Sequence, residues 1–107
     1  MNNNIPITII VSVKNEELNL PSCLNKLKMF NEVIVVDSSS TDNTPKIVAD
    51  FGYQIVDFKW NGKFPKKRNW TLRNVPIKNE WVLFLDADEI LTESFIYEIS
   101  KIITYNN

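Results

Sequence analysis

Histidine is absent from all 107 residues. Its absence excludes Ser-His-Asp and Cys-His triads, histidine-ligated zinc and imidazole acid/base chemistry, so any catalysis rests on carboxylates, Lys, Tyr or an oxygen-held metal. Cysteine occurs once, as Cys23, which rules out an internal disulfide or a four-cysteine zinc site and fits a reducing compartment. Cys23 reads as a small buried thiol. The amino terminus, Met1-Asn2-Asn3-Asn4, has no basic region, and Pro6, Thr8 and Ser12 interrupt the apolar stretch after it, so no signal peptide is expected. No run approaches the roughly 20 apolar residues of a membrane span, and a cytoplasmic location is the expectation. Low-complexity tracts and internal repeats are also missing. With 44% hydrophobic and 23% charged residues, the chain sits outside the disordered range.

An excess of either charge sign is missing, the net being −1, which argues against a general nucleic-acid-binding surface. The average hides two blocks. Residues 59–73 carry six basic groups (Lys59, Lys63, Lys66, Lys67, Arg68 and Arg73) and no acid. Residues 80–98 carry six acids (Glu80, Asp86, Asp88, Glu89, Glu93 and Glu98) and no base.

Four short apolar runs are each followed by helix signals. Ile7 to Val13, rich in β-branched residues, predicts a strand. After it, Asn19 is placed to cap a helix with Pro21 in its first turn and Leu20, Leu24 and Leu27 on one face. Val33 to Val36 predicts the second strand, followed by a polar loop and a helix capped by Thr44 and stopped by Gly52. A third strand near Tyr53 to Phe58 leads through a Trp60-Asn61-Gly62 turn into a basic helix from Pro65 to Asn74. Trp81 to Leu85 is the fourth strand. Thr92 then caps a last helix with Phe95, Ile99, Ile102 and Ile103 on one face.

Strands alternating with helices imply right-handed βαβ units and a parallel sheet, and unbroken apolar strands suit a sheet covered on both faces. The fold class expected is α/β, a Rossmann-like open, mainly parallel sheet of about four strands with helices on both faces. Residues 1–107 read as one domain. Ligands in such sheets bind beyond the carboxyl ends of the strands. The loops there hold Asn15-Glu16-Glu17, Asp37 to Asp42, and Asp86-Ala87-Asp88-Glu89.

In an extended segment Asp86 and Asp88 point the same way. Two carboxylates about 4 Å apart repel by roughly 4 kcal/mol at an effective dielectric near 20, a strain that a shared proton or a cation relieves. Without His or Cys nearby, the cation is Mg²⁺ or Mn²⁺, which keeps positions open for phosphate oxygens. An Asp-x-Asp tripeptide alone is as well explained by solvated acids. Its place directly after the most apolar strand favours a metal or ligand site. Asp37 reads equally as a turn aspartate bonding local backbone. The basic block reads as a solvated helix face, or as a complement to an anionic ligand.

Val36-Asp37-Ser38-x-Ser40-Thr41-Asp42-x-Thr44, Lys67-Arg68-Asn69 and Trp81-Val82-Leu83-Phe84-Leu85-Asp86-Ala87-Asp88-Glu89 together resemble family 2 glycosyltransferases of the GT-A fold. The resemblance extends from about Ile7 to the end of the chain. Phe58-x-Trp60-x-Gly62 before Lys66-Lys67-Arg68-Asn69 resembles the bacterial subgroup that builds lipopolysaccharide core and other cell-surface glycans. The resemblance implies that Val13, Asn15 and Glu16 line a nucleotide-base pocket and that Asp37 bonds the base, commonly uracil. It implies further that Lys67 and Arg68 lie by the nucleotide or diphosphate. Asp86 would touch the ribose or metal, and Asp88 would ligate Mn²⁺ or Mg²⁺. The reaction implied is transfer of a sugar from a nucleotide-diphosphate donor, a UDP-sugar, to a glycan or lipid-linked acceptor, with inversion. Cations and metal stabilise charge on the departing diphosphate. A lipid-linked acceptor would bring the protein to the inner membrane face. The family's general base lies well beyond Asp-x-Asp, and 19 residues follow Asp88 here, so the expectation is a donor-binding half of a longer domain with poor transfer by itself. Glu93 and Glu98 read as first-turn and solvent-face acids of the last helix.

Two other classes compete. Val82-Leu83-Phe84-Leu85-Asp86-x-Asp88 also resembles the first motif of haloacid-dehalogenase-type phosphatases, which normally opens its domain instead of lying near position 86 of 107. A nucleic-acid binder would use the 59–73 block with Phe58, Trp60, Phe64 and Trp70 as stacking platforms. Core packing explains those aromatics more simply, and the neighbouring acids repel a phosphate backbone.

Overall fold

Nine residues rich in Ile and Val, from Ile5 to Val13, form the central strand β1, in which successive side chains enter opposite faces of the sheet. In the computed structural model, residues 5–59 and 67–106 are described, with 67–69 and 104–106 described for backbone only. The order is β1 (Ile5–Val13), α1 (Leu20–Asn25), β2 (Phe30–Asp37), α2 (Thr44–Phe51), β3 (Gln54–Asp57), α3 (Lys67–Asn74), β4 (Trp81–Asp86) and α4 (Glu93–Asn106). All three strand pairings are parallel, in the spatial order β3-β2-β1-β4. The α/β parallel sheet of four strands expected from the sequence is the one observed.

Alternation divides the core in two. Ile7, Ile9, Val11, Val13, Val33, Val35 and Leu85 pack on one face against Leu20, Leu24, Val48, Ile96 and Ile103 from α1, α2 and α4. Ile10, Ile34, Val36, Val82 and Phe84 pack on the other against Phe58, Trp70 of α3, and Val75. Helices therefore cover both faces. The chain steps from β1 to β2 to β3, then returns past both to place β4 on the far side of β1. This reversal at β1 and β4 opens a crevice beyond their carboxyl ends, the position where open α/β sheets hold ligands.

Several local signals act as read. Gly52 ends α2 at φ 78, a left-handed conformation that glycine adopts without penalty, and the Phe95 N–H donates to the Thr92 hydroxyl at 3.1 Å, capping α4. Asn19 precedes α1 as expected, although its side chain donates to Glu16 Oε1 and makes no cap bond to the helix amides. Two details differ. The residue preceding α2 is Asn43, because the Thr44 hydroxyl is taken up as an acceptor for the Glu16 N–H at 3.0 Å. On α4 the stripe that reaches the core is Ile96, Ile99 and Ile103, while Phe95 and Ile102 are exposed. Both sets fit the 3.6-residue period, and the buried stripe is the one turned towards Ile96 and away from Phe95 and Ile102. The Trp60-Asn61-Gly62 turn and the Pro65 helix start lie outside the described residues.

At the amino-terminal edge, Thr8 donates to Glu32 Oε1 at 2.7 Å, the Lys78 N–H donates to the same oxygen at 3.0 Å, and Asn79 donates to Thr8 Oγ1 and Asn31 Oδ1. Those bonds tie the segment entering β4 to β1 and β2. The polar side chains named here bond one another, and a cavity of about 540 Å³ lined by Phe30, Glu32, Phe51 and Tyr53 also opens at this edge, whereas the opposite edge carries the polar loops that follow β1, β2 and β4.

Candidate functional site

Register fixes the carboxyl-terminal edge. Val13 pairs with Asp37, Ser12 with Asp86, and Asp37 with Asp57, so β3, β2 and β4 each end on an aspartate while β1 lies between Asp37 and Asp86. At about 4.8 Å between neighbouring strands, Asp37 and Asp86 are roughly 10 Å apart across the end of β1.

Asp37 is 3% exposed, and its carboxylate is anchored. Oδ2 accepts the Ser40 N–H at 3.2 Å and Oδ1 accepts the Ser40 hydroxyl. The turn reading of Asp37 is thus present in the structure, and it leaves further lone pairs on both oxygens. Beside it, Lys14, Ser38, Ser39, Phe58 and Lys59 line a cavity of about 530 Å³ among the loops that follow β1, β2 and β3. Lys14 and Lys59 make this wall cationic. Ser39 (φ 58) and Asn15 (φ 52) hold left-handed backbone unusual for residues with a Cβ, a concentration of strain common where loops are shaped for a ligand.

The loops after β1 and β2 are clasped together. The Asn15 N–H donates to Ser40 Oγ at 2.8 Å, and Asn15 Oδ1 accepts the Thr41 N–H at 2.7 Å. The Glu16 N–H reaches Thr44 Oγ1, the Glu17 N–H reaches Asp42 Oδ2 at 3.2 Å, and Glu17 Oε1 accepts the Asn43 N–H at 2.9 Å. Asn15 and Glu16 are therefore at the edge where the sequence placed them, with their described bonds directed into the clasp. Desolvation acts against ionising Asp42, but the Thr44 hydroxyl and the Thr44 and Glu17 N–H groups outweigh it and hold its carboxyl below the usual carboxylate range. A carboxyl lowered on folding contributes stability that is present above its unfolded pKa and lost as pH falls through the folded value. Wild-type urea midpoints are expected to fall more steeply below about pH 4 than those of Asp42→Asn, and parallel profiles would contradict the clasp.

After β4 the chain turns. The Glu89 N–H donates to the Asp86 carbonyl at 2.9 Å while Glu89 Oε1 accepts the Asp86 N–H at 2.7 Å, closing a four-residue turn over buried Ala87. Asp88 lies in this turn, so its approach to Asp86 is set by turn geometry instead of strand alternation. Both aspartates are exposed. Burial first, and then the charges of Glu89, Asp88 and Glu16, push the Cys23 thiol up to about 11. Cys23 itself is buried and protonated at neutral pH.

Among the described residues no three His, Cys, Asp or Glu side chains gather as a complete cation site. Two exposed carboxylates form an oxygen-only, partial donor set, which fits a Mg²⁺ or Mn²⁺ ion that takes one or two protein ligands and completes its shell with phosphate oxygens. Lys67 and Arg68 open α3, and their side chains lie outside the described residues, as do Phe64 and Trp60.

The profile of glycosyl transferase family 2 matches residues 8–107. The chain belongs to this family. As a family 2 glycosyltransferase sequence it is 35% identical, over 94% of its length, to an uncharacterised glycosyltransferase of Rickettsia prowazekii, of which it spans 34%. It is 37% identical, over 90% of its length, to the prophage-derived glycosyltransferase SunS of Bacillus subtilis, of which it spans 23%. Among solved structures, 98% of the chain superposes on Staphylococcus aureus TarS (residues 1–349) with TM-score 0.74 and 27% identity, covering 33% of that chain. The chain thus spans about a third or less of these relatives.

The family match displaces the phosphatase reading of the segment around Asp86. Phe58 is buried, with its ring 5.1 Å from that of Trp70, so these two aromatics are packing groups and not free stacking platforms. Asp57, paired with Asp37 at the end of β3, borders the site without having been singled out by sequence, whereas Lys14 lies within the Val13 to Glu16 segment, Ser38 within the Asp37 motif and Lys59 within the basic block.

Proposed function

We propose that the carboxyl-terminal edge of the sheet binds the nucleoside diphosphate of a sugar donor, a UDP-sugar, for an inverting glycosyl transfer. The observation that carries this reading is the row of Asp37, Val13 and Asp86 at adjacent strand ends, with the cavity and its two lysines beside Asp37. Solved complexes of TarS with UDP and with UDP-GlcNAc, at 27% identity, support the choice of uridine.

In this reading Asp37 accepts a hydrogen bond from the base, Val13, Asn15 and Glu16 form the floor under it, and Lys67 and Arg68 face the diphosphate. Asp86 and Asp88 would hold Mn²⁺ or Mg²⁺, which when bound neutralises charge on the leaving diphosphate. The role of this segment is to bind and orient the donor, and none of its described residues is assigned as acceptor base. The acceptor is a glycan or lipid-linked hydroxyl of cell-envelope synthesis on the cytoplasmic side of the membrane, in line with the resemblance in the 58–69 segment. No described helix is long and apolar enough to cross a membrane.

Calorimetric titration of the chain with UDP tests the proposal. Saturable binding in Mn²⁺ that weakens at least about tenfold in EDTA is the expected result, and no heat from UDP, GDP or CDP at millimolar concentration would contradict it.

A further inference from the structure

Both oxygens of the Asp37 carboxylate are held by a single residue, Ser40, through its N–H and its hydroxyl. An aspartate χ2 torsion is broad, so a carboxylate with one bond can swing, whereas one gripped at both oxygens by the same residue has its plane fixed. The Ser40 hydroxyl is fixed in turn, because the Asn15 N–H donates to its oxygen at 2.8 Å and directs its single proton towards Asp37. Asn15 is held there by its left-handed backbone and by the bond from the Thr41 N–H. The chain of contacts runs Asn15 to Ser40 to Asp37, linking residues 25 positions apart.

We propose that Ser40, locked by Asn15, is a positioning residue that sets base specificity by aiming the free lone pairs of Asp37 at the donor site. This inference rests on Asp37 facing the base. A fixed carboxylate can only accept. It therefore favours a base that presents a ring N–H between two carbonyls, as uracil does, and opposes one that presents a ring lone pair at that place, as cytosine does. A carboxylate free to rotate still attracts donors but discriminates less, because it can turn to reduce the clash of lone pairs.

The test compares UDP and CDP affinities in Mn²⁺ for wild type, Ser40→Ala and Ser40→Thr. Wild type is expected to prefer UDP, and Ser40→Ala to lose on the order of tenfold in the UDP:CDP ratio, the scale of one mispaired hydrogen bond. Ser40→Thr, which keeps the hydroxyl, restores the ratio. If Ser40→Ala does not fold, Ser40→Cys keeps the volume with a weaker donor and is expected to lower the ratio in the same direction. A purely structural role for Ser40 would weaken both nucleotides equally, and an unchanged ratio in Ser40→Ala or Ser40→Cys overturns the inference while leaving UDP binding intact. Failure of wild type to bind any nucleoside diphosphate overturns instead the reading beneath it.

Discussion

Asp88→Ala is expected to abolish the Mn²⁺-dependent part of UDP binding while leaving the unliganded protein almost unchanged. Asp88 is exposed in the turn after β4, and no structural hydrogen bond to its side chain is described, so its removal is a surface substitution worth about 0.5 kcal/mol or less to folding. Its effect on the liganded protein is much larger. At about a hundred times its dissociation constant, UDP stabilises the wild type by about 2.7 kcal/mol, a rise on the order of 10 °C in melting temperature for a domain of this size. In Asp88→Ala the rise is expected to shrink to what UDP gives in EDTA. A full rise in the variant would remove Asp88 from the donor site.

Asp37→Ala has two consequences that are separable. Ser40 loses the acceptor for both its N–H and its hydroxyl, and a partly buried donor left unpaired costs about 1–3 kcal/mol, so urea midpoints fall. UDP affinity falls as well, by roughly 10–100-fold, because the base loses an ionised acceptor. Asp37→Asn keeps one acceptor oxygen but turns an amide towards the Ser40 donors, and lies between wild type and alanine in both measures. UDP affinity within twofold of wild type in Asp37→Ala would detach the aspartate from the base, and an unchanged urea midpoint would contradict its part in the clasp.

Much of the scaffold was legible because its signals are local. Ile7 to Val13, Val33 to Val36 and Trp81 to Leu85 are β-branched or apolar runs that fit a strand covered on both faces, and Gly52 and Thr92 act within a few residues of themselves. The clasp was not legible, because it joins Asn15, Glu16 and Glu17 to side chains 25 to 28 positions away. No periodicity carries that information. Ser40, Asp42 and Thr44 belong to the motif that suggests nucleotide binding, yet their described hydrogen bonds are spent on the neighbouring loop, on the Asp37 carboxylate and on one another. The motif therefore reads as a device for shaping the loop that presents Asp37. Thr44 shows the same competition at helix scale, since its hydroxyl is drawn away from capping α2 by the Glu16 amide. Asp88 was placed by a strand argument carried two residues past the end of β4, into the turn closed by Glu89.

The location of the donor site can be read directly from paramagnetic broadening of backbone amide signals by Mn²⁺ in the presence of UDP. The expected result is broadening concentrated at Asn15, Ser38 to Ser40 and Asp86 to Glu89, with Asn31, Tyr53 and Asn79 at the opposite edge spared. Broadening centred on those amino-terminal-edge residues, or none that depends on UDP, would contradict the assignment of the carboxyl-terminal edge as the nucleotide site.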